Sequence, residues 1–446
     1  MTDWLGKPYW NAFLAWHTLR GARLLDHSLE KIIAIQRRRI RSLVHYAYSE
    51  VTHYRELMDR MHLRPDDFRT AEDLERLPLL SKEELLDAPL RFIGAAYRGG
   101  KGLLLHSSGT SGRARTIVYE SRALFMAFAY GYRQRKALTS VLGRSLGYRE
   151  LDLSRAGSLG SQLRAFYERH SWIPAGIDLR RRFVSPSEPF ESIRKGVNQF
   201  RPDVIRGYGS LLGVFFRWLH DRELMLVRPK AVHYGGDRMA EPDRRLIEEH
   251  FGIPVFSTYQ AAEALLIAFQ CEHRQGFHIS MDQVAVRVVD ERGHSVEPGS
   301  SGEVILTNLT NRATVLINLK LGDVVKVGKR PCACGCPLPV LDSVEGRADD
   351  LISVPGGSSL HALSTLPPLQ AVPGVVQVQL VQRELCRFSL RVVCAREADW
   401  HVTRARLEEA FYSVLGRDLD LEVERVERLA SDPSGKLRGV ISHYPG

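Results

Sequence analysis

Between residues 120 and 270 helix-like stretches alternate with short apolar runs, and this alternation constrains the fold more than any other feature of the chain. Asp203-Val204-Ile205 and Pro254-Val255-Phe256 read as buried strands. Buried strands that alternate with helices build a mostly parallel sheet flanked by helices, so an α/β class is expected. From 283 to 327 the pattern changes. Val284 to Val289, Gly302 to Thr307 and Val324 to Val327 alternate with period two and are parted by turn residues such as Asp290-Glu291-Arg292-Gly293. A β-rich subregion is expected there. After Gly346-Arg347-Ala348-Asp349-Asp350, strands at Val375 to Val381, Phe388 to Val393 and Leu421 to Val426 mix with a helix around Arg404 to Val414. That stretch suits a separate α+β domain of roughly 100 residues. The expected division is a large domain over 1–346 and a small one over 347–446.

The N-terminal part adds helices. Residues 28–62 carry Ile32, Ile33, Ile35, Ile40, Leu43 and Val44 at helical spacing. Ser81 is a suitable N-cap, with Glu83 and Glu84 in the first turn that follows. Leu103-Leu104-Leu105 and Thr116-Ile117-Val118-Tyr119 read as strands on either side of a small-residue loop.

Totals exclude several classes. The chain has 446 residues, 44% hydrophobic and 26% charged, an ordinary soluble balance. No apolar run is long enough to span a bilayer, and Met1 to Gly21 lacks the layout of a secretory signal. A cytoplasmic location and no membrane partner are expected. Net charge is +10, with denser runs at Arg37-Arg38-Arg39 and Arg180-Arg181-Arg182. No nucleic-acid-binding signature accompanies them, so they read as a solvated basic surface and a nucleic-acid partner is not expected.

Two constellations carry chemistry. Ser107-Ser108-Gly109-Thr110-Ser111-Gly112 offers backbone N–H groups and short hydroxyls, and Arg113 and Arg115 add charge. Phosphates are held that way, although a flexible turn has the same composition. No Gly-Lys-Ser/Thr closes the string, so it is not a Walker loop. The second constellation is Cys332-x-Cys334 with Cys271 and His278 upstream, a thiolate and imidazole set suited to structural Zn²⁺. Cys336 and His273 are substitutes, and buried free thiols are the plainer alternative.

The loop and a series of further motifs in order resemble the phenylacetate–CoA ligase branch of the adenylate-forming superfamily, from about residue 28 to 440. Leu77-Pro78 with Ser81-Lys82 is similar to the segment preceding the family's phosphate loop. Tyr234-Gly235-Gly236-Asp237 resembles its Gly-rich turn near the adenine, and Tyr259-Gln260-Ala261-Ala262-Glu263 its Tyr-Gly-x-Thr-Glu motif. Gly322-Asp323 resembles the family Gly-Asp, Gly346 to Asp350 the interdomain hinge, and Ser434-Gly435-Lys436-Leu437-Arg438 the catalytic lysine motif.

The resemblance implies ATP, Mg²⁺ and CoA as cofactors, a small carboxylic acid as substrate, aryl or arylacetic by family, and a homodimer. It implies that Ser107 to Gly112, Gly235, Gly236, Asp237, Tyr259, Asp323 and Arg347 bind nucleotide. Asp323 would accept the ribose hydroxyls, although beside Gly322 it also reads as a turn residue. Glu263 would hold Mg²⁺ and Lys436 would stabilise charge developing at the α-phosphorus. Asp349 would be the pivot of a domain rotation. Tyr208, Tyr234 and Phe256 are candidate pocket walls that read equally as core.

Three departures mark a divergent branch: Ala262 replaces a hydroxyl, Asn318-Leu319 replaces Arg-Tyr with Lys320 or Lys326 nearby, and Arg113 or Arg115 replaces a lysine. Other outcomes of the same resemblance are a different acceptor (a carrier-protein thiol, an amine or a cofactor) and a nucleotide-binding scaffold without turnover.

Overall fold

The computed structural model describes residues 6–106, 116–154, 157–172, 180–347, 351–355, 359–429 and 439–444. The loop 107–112, Arg113, Arg115, Asp349 and Lys436 lie outside the described residues.

The chain opens with α1 (Gly6–Leu24) and α2 (Leu29–Glu50). The helical stretch expected over 28–62 divides at Val51, whose extended backbone (φ −118°, ψ 114°) separates α2 from α3 (Thr52–Arg60). Val51 is fully buried, so the break serves packing of the two helices on one core. Ser81 caps the short α4 (Lys82–Asp87) as expected. Its hydroxyl accepts from Glu84 N at 3.1 Å and the Glu84 carboxylate accepts from Ser81 N at 2.9 Å. Strands β1 (Leu103–His106) and β2 (Thr116–Tyr119) pair antiparallel with His106 opposite Thr116, so both stems of the predicted phosphate loop are fixed.

Helices α5 (Ser121–Tyr130) and α6 (Tyr132–Leu142) lead into an eleven-stranded sheet. Its parallel half holds β3 (Arg149–Leu153), β4 (Arg180–Val184), β5 (Val204–Gly207), β6 (Ala231–Gly235) and β7 (Val255–Tyr259), in the order β4-β3-β5-β6-β7. Helices α7 (Leu159–His170), α8 (Phe190–Phe200), α9 (Gly209–Asp221) and α10 (Glu241–Arg245) occupy the crossovers. Successive side chains of a strand face opposite ways, so each strand serves two layers. Leu151, Ile205, Val232 and Val255 face the core of α8 and α9. Tyr148, Val204, Ala231 and Phe256 pack instead on Ala137, Leu138 and Leu142 of α6.

The antiparallel half holds β8 (Ala268–Phe269), β9 (Phe277–Ile279), β10 (Val284–Val289), β11 (Ser301–Asn308), β12 (Leu319–Val327) and β13 (Val340–Arg347). It runs β10-β11-β12-β13-β9-β8 and joins β7. The β-rich subregion is where the alternation placed it, but β12 starts at Leu319 rather than Val324. Leu321 and Gly322 are both buried and Gly322 has φ 71°, a bulge that breaks the period-two pattern.

The remaining strands are β14 (Leu351–Ser353), β15 (Ser359–His361), β16 (Val375–Glu384), β17 (Arg387–Cys394), β18 (Asp420–Arg425) and β19 (Val440–Ser442), with α11 (Ala362–Gln370) and α12 (Trp400–Leu415). A four-stranded sheet β18-β17-β16-β19 buries Leu380, Phe388, Leu390, Leu407 and Phe411 in a core of its own. None of the described helices is long and apolar enough to cross a membrane.

Candidate active site and metal centre

In an open α/β sheet, ligands bind beyond the carboxyl ends of the parallel strands. Three predicted positions lie there. Tyr259 ends β7, and its phenol donates to Asp323 Oδ2 at 2.8 Å. Arg347 ends β13, stands opposite Asp323 in the β12–β13 register, and donates from Nη1 to Asp323 Oδ1 at 3.1 Å. The bulge at Gly322 turns Asp323 into this position; a left-handed φ there favours glycine. Burial, then the Asp323 charge and hydrogen bond, hold the Tyr259 phenol well above its ordinary range, so it stays a donor.

Gly235 ends β6, and Gly236 and Asp237 follow it. Gly236 has φ 85°, and a Cβ on Gly235 would lie 3.2 Å from Thr258 Oγ1. Asp237 reaches back to α9: its carboxylate accepts from Ser210 N at 3.3 Å and from the Ser210 hydroxyl. Glu263 is 2% exposed. Asn308 Nδ2 donates to its carbonyl at 2.8 Å, and Tyr119 of β2 donates to the Ala262 carbonyl at 2.9 Å. Burial, then the Glu263 charge, push the Tyr119 phenol well above its usual value. The carboxylate of Glu263 therefore lies beside the stem that carries the predicted phosphate loop.

Asn318, noted above as a departure, has a structural task. It sits at φ 55°, and its Nδ2 donates to Leu74 O at 2.6 Å and Leu77 O at 2.9 Å. Asparagine tolerates the left-handed backbone well, and its short amide reaches both carbonyls from there. Lys320 pairs with Glu303 at 3.3 Å. Tyr119 and Asn308 were not legible in the sequence, because their contacts join residues 45 to 189 positions apart.

The cysteine cluster assembles between β8, β9 and the β12–β13 connection. Cys271 Sγ lies 3.6 Å from Cys332 Sγ, and Cys334 Sγ lies 3.4 Å from His278 Nε2. All four ligand atoms fall within 4.8 Å of one another. A tetrahedral Zn²⁺ with Zn–S bonds near 2.3 Å would set sulfurs about 3.8 Å apart, so the donor set fits a closed site. Cys336 stands outside the four and donates its backbone N to Cys334 Sγ at 3.4 Å. His273 is also outside it. Burial pushes the Cys271 thiol up to about 12, with Cys332 and Cys334 adding; a bound cation would reverse that balance.

No family model matches the chain. Phenylacetate-coenzyme A ligase of Thermus thermophilus is 26% identical over 421 residues, covering 90% of this chain and 87% of that protein. The enzyme of that name from Escherichia coli K12 is 24% identical over 354 residues, 74% of each.

The chain is thus similar over most of its length to the phenylacetate–CoA ligases, the adenylate-forming branch that its motifs resemble.

The relatives of that name are acid–thiol ligases. Protein CapK of Staphylococcus aureus is more distant, 20% identical over 92% of this chain and 89% of its own. The fold agrees with that of 2-hydroxyisobutyryl-CoA ligase in the postadenylation state with 2-HIB-AMP: TM-score 0.73, 20% identity, 93% of this chain and 90% of that one.

Proposed function

We propose that this chain activates a carboxylic acid with ATP, forming an acyl-adenylate and pyrophosphate, and then passes the acyl group to the thiol of CoA. The observation that carries the reading is the Tyr259–Asp323–Arg347 constellation at the sheet edge, beside buried Glu263. Asp323 would accept ribose hydroxyls while Arg347 balances its charge. Glu263 and the phosphates would hold Mg²⁺, which favours one or two carboxylates plus phosphate oxygens. The loop Ser107 to Gly112 would cradle the phosphates, with Gly235, Gly236 and Asp237 near the base. Lys436 would stabilise the charge on the α-phosphorus, carried by a C-terminal domain that turns about Asp349. Phenylacetate, for which several relatives are named, is the first acid to test.

Pyrophosphate release from ATP and Mg²⁺ across a panel of acids, with and without CoA, tests this. Release should depend on acid, increase with CoA and disappear in Lys436→Ala. Release that Lys436→Ala retains would refute the assignment of that lysine; silence across the panel with ATP bound would refute the reaction.

Cys271, His278, Cys332 and Cys334 would hold one structural Zn²⁺ that ties β8 and β9 to the β12–β13 connection. Metal analysis of the purified protein should find one zinc per chain, and Cys332→Ser should lose it together with thermal stability. A full-length chain that folds stably without metal would refute this.

A further inference from the structure

Interior strands of a parallel sheet are normally apolar on both faces. Here one face turns polar toward the carboxyl ends of the strands. On β3, β5 and β6, the α6-facing positions run from Tyr148, Val204 and Ala231 to Asp152, Arg206 and His233. The register sets Asp152 opposite Arg206 and Arg206 opposite His233, a continuous row across three neighbouring strands. One step further along β6 is Gly235, opposite Thr258, and Tyr259 follows directly. The row therefore opens onto the same edge as the nucleotide constellation.

The row is cation-rich. Arg181 of β4 pairs with buried Glu150 of β3 at 2.6 Å, so this member of the arginine run is not a solvated surface charge. Their charges offset each other. Arg206 and Arg135 of α6 also feel the Glu150 charge, and Asp152 is the second carboxylate, so among these described groups three guanidinium groups face two carboxylates. Arg206 donates to the neutral Gln134 amide at 3.2 Å. Burial, then the Glu150 charge, raise the Asp152 carboxyl, which weakens it as a counter-charge. His233 is 3% exposed, and among the described residues neither ring nitrogen has a hydrogen-bond partner. The same holds for Thr258 Oγ1 and the Nε atoms of Arg206 and Arg135. Buried polar atoms are nearly always paired, so this many in one place point to a group that supplies acceptors.

We propose that this row binds the far end of the substrate, and that the substrate is a carboxylic acid bearing a second anionic group. The inference rests on the adenylation reading above. The reacting carboxylate would lie toward Glu263 and the phosphates. The second anion would lie toward Arg206 and His233, accepting from guanidinium and imidazole N–H groups. A site built to satisfy polar groups discriminates strongly against analogues that lack them.

The test compares phenylacetate with 4-carboxyphenylacetate, and butyrate with succinate, in pyrophosphate release by the full-length protein. The wild type should favour the diacid of at least one pair by about 100-fold in kcat/KM. Arg206→Met should collapse that ratio, and Arg206→Lys should restore part of it. Melting temperature with each acid, without ATP, gives a second readout that needs no turnover. A diacid-specific rise lost in Arg206→Met would support the proposal even if no acid released pyrophosphate, in which case only the adenylation reading would fail. Monoacids used as well as diacids would overturn the proposal and leave adenylation standing. Neither turnover nor a diacid-specific shift would overturn both.

Discussion

The two faces of the parallel strands were built by the same chain segments and have opposite character. Toward α8 and α9, Leu151, Ile205 and Val232 are fully buried among Phe215, Phe216 and Leu219. Toward α6, the intervening positions begin apolar and end in Asp152, Arg206 and His233. The first face gains free energy by removing apolar surface from water, at roughly 25 cal/mol per Å². The second forgoes that gain and, among the described residues, leaves polar atoms without hydrogen-bond partners. Such a sacrifice is expected at a binding site, where local stability is traded for function. The Tyr259–Asp323–Arg347 constellation differs from both, since Tyr259 and Arg347 each donate to the Asp323 carboxylate.

This contrast can be broken by substitution. Ile205→Ala on the apolar face should cost about 2–5 kcal/mol of unfolding free energy, read by urea denaturation, because it removes buried methylenes and leaves a cavity. Selectivity among acids should not change. If Ile205→Ala altered the diacid-to-monoacid ratio, the two faces would not be separable.

Asp323→Ala should act in the other direction. A hydrogen bond to a charged group contributes about 1.5–3 kcal/mol, so ATP-dependent pyrophosphate release should fall about 10- to 100-fold in kcat/KM. Folding stability should fall less than in Ile205→Ala, because Asp323 is partly exposed. An activity unchanged within a few-fold would remove Asp323 from the nucleotide site.

His233→Leu sharpens the comparison further. The imidazole is buried without a partner among the described residues, so an apolar replacement of similar size removes a desolvated group rather than a contact. Urea denaturation should show a change within about 1 kcal/mol, or a gain, while the preference for diacids falls. A loss as large as that from Ile205→Ala would mean that His233 is a structural residue.

What could be read from the sequence follows the same division. The apolar runs at 204–205 and 254–256 announced the sheet because hydrophobic burial is local in pattern. Gly322-Asp323 and Tyr259 stood in motifs and meet at one carboxylate. The cysteines were legible because soft ligands cluster in the sequence. The polar row was not. Glu150 and Asp152 lie more than fifty residues from Arg206, and only strand register makes them neighbours. Arg181 appeared to be surface charge because a run of three arginines gives no sign that the middle one turns inward. Asn318 appeared only as a departure from a motif, since a left-handed backbone and two carbonyl acceptors cannot be inferred from one residue type.

The last expected effect concerns pH. Burial, then the positive charge of Arg206, hold the His233 imidazole well below its ordinary value of 6.5. Arg206 on β5 faces the ring, and Arg206 in turn lies near Asp152 and Glu150 on β3 and Arg135 on α6, with Arg181 of β4 paired to Glu150. Because the folded value is depressed, the unfolded chain binds more protons in the window just below 6.5. Stability from this group is therefore present above about pH 6.5 and declines as pH falls below it. His233→Gln should flatten the slope of unfolding free energy between pH 6.5 and 5 by up to one proton, about 1.4 kcal/mol per pH unit. His17 and His53 are depressed too, so a residual slope should persist in the variant. Saturating 4-carboxyphenylacetate should change the slope in the wild type but not in His233→Gln, because an anion against the ring favours its protonated form. An identical slope with and without the diacid in both proteins would place the anion away from His233 and confine the polar row to a structural role.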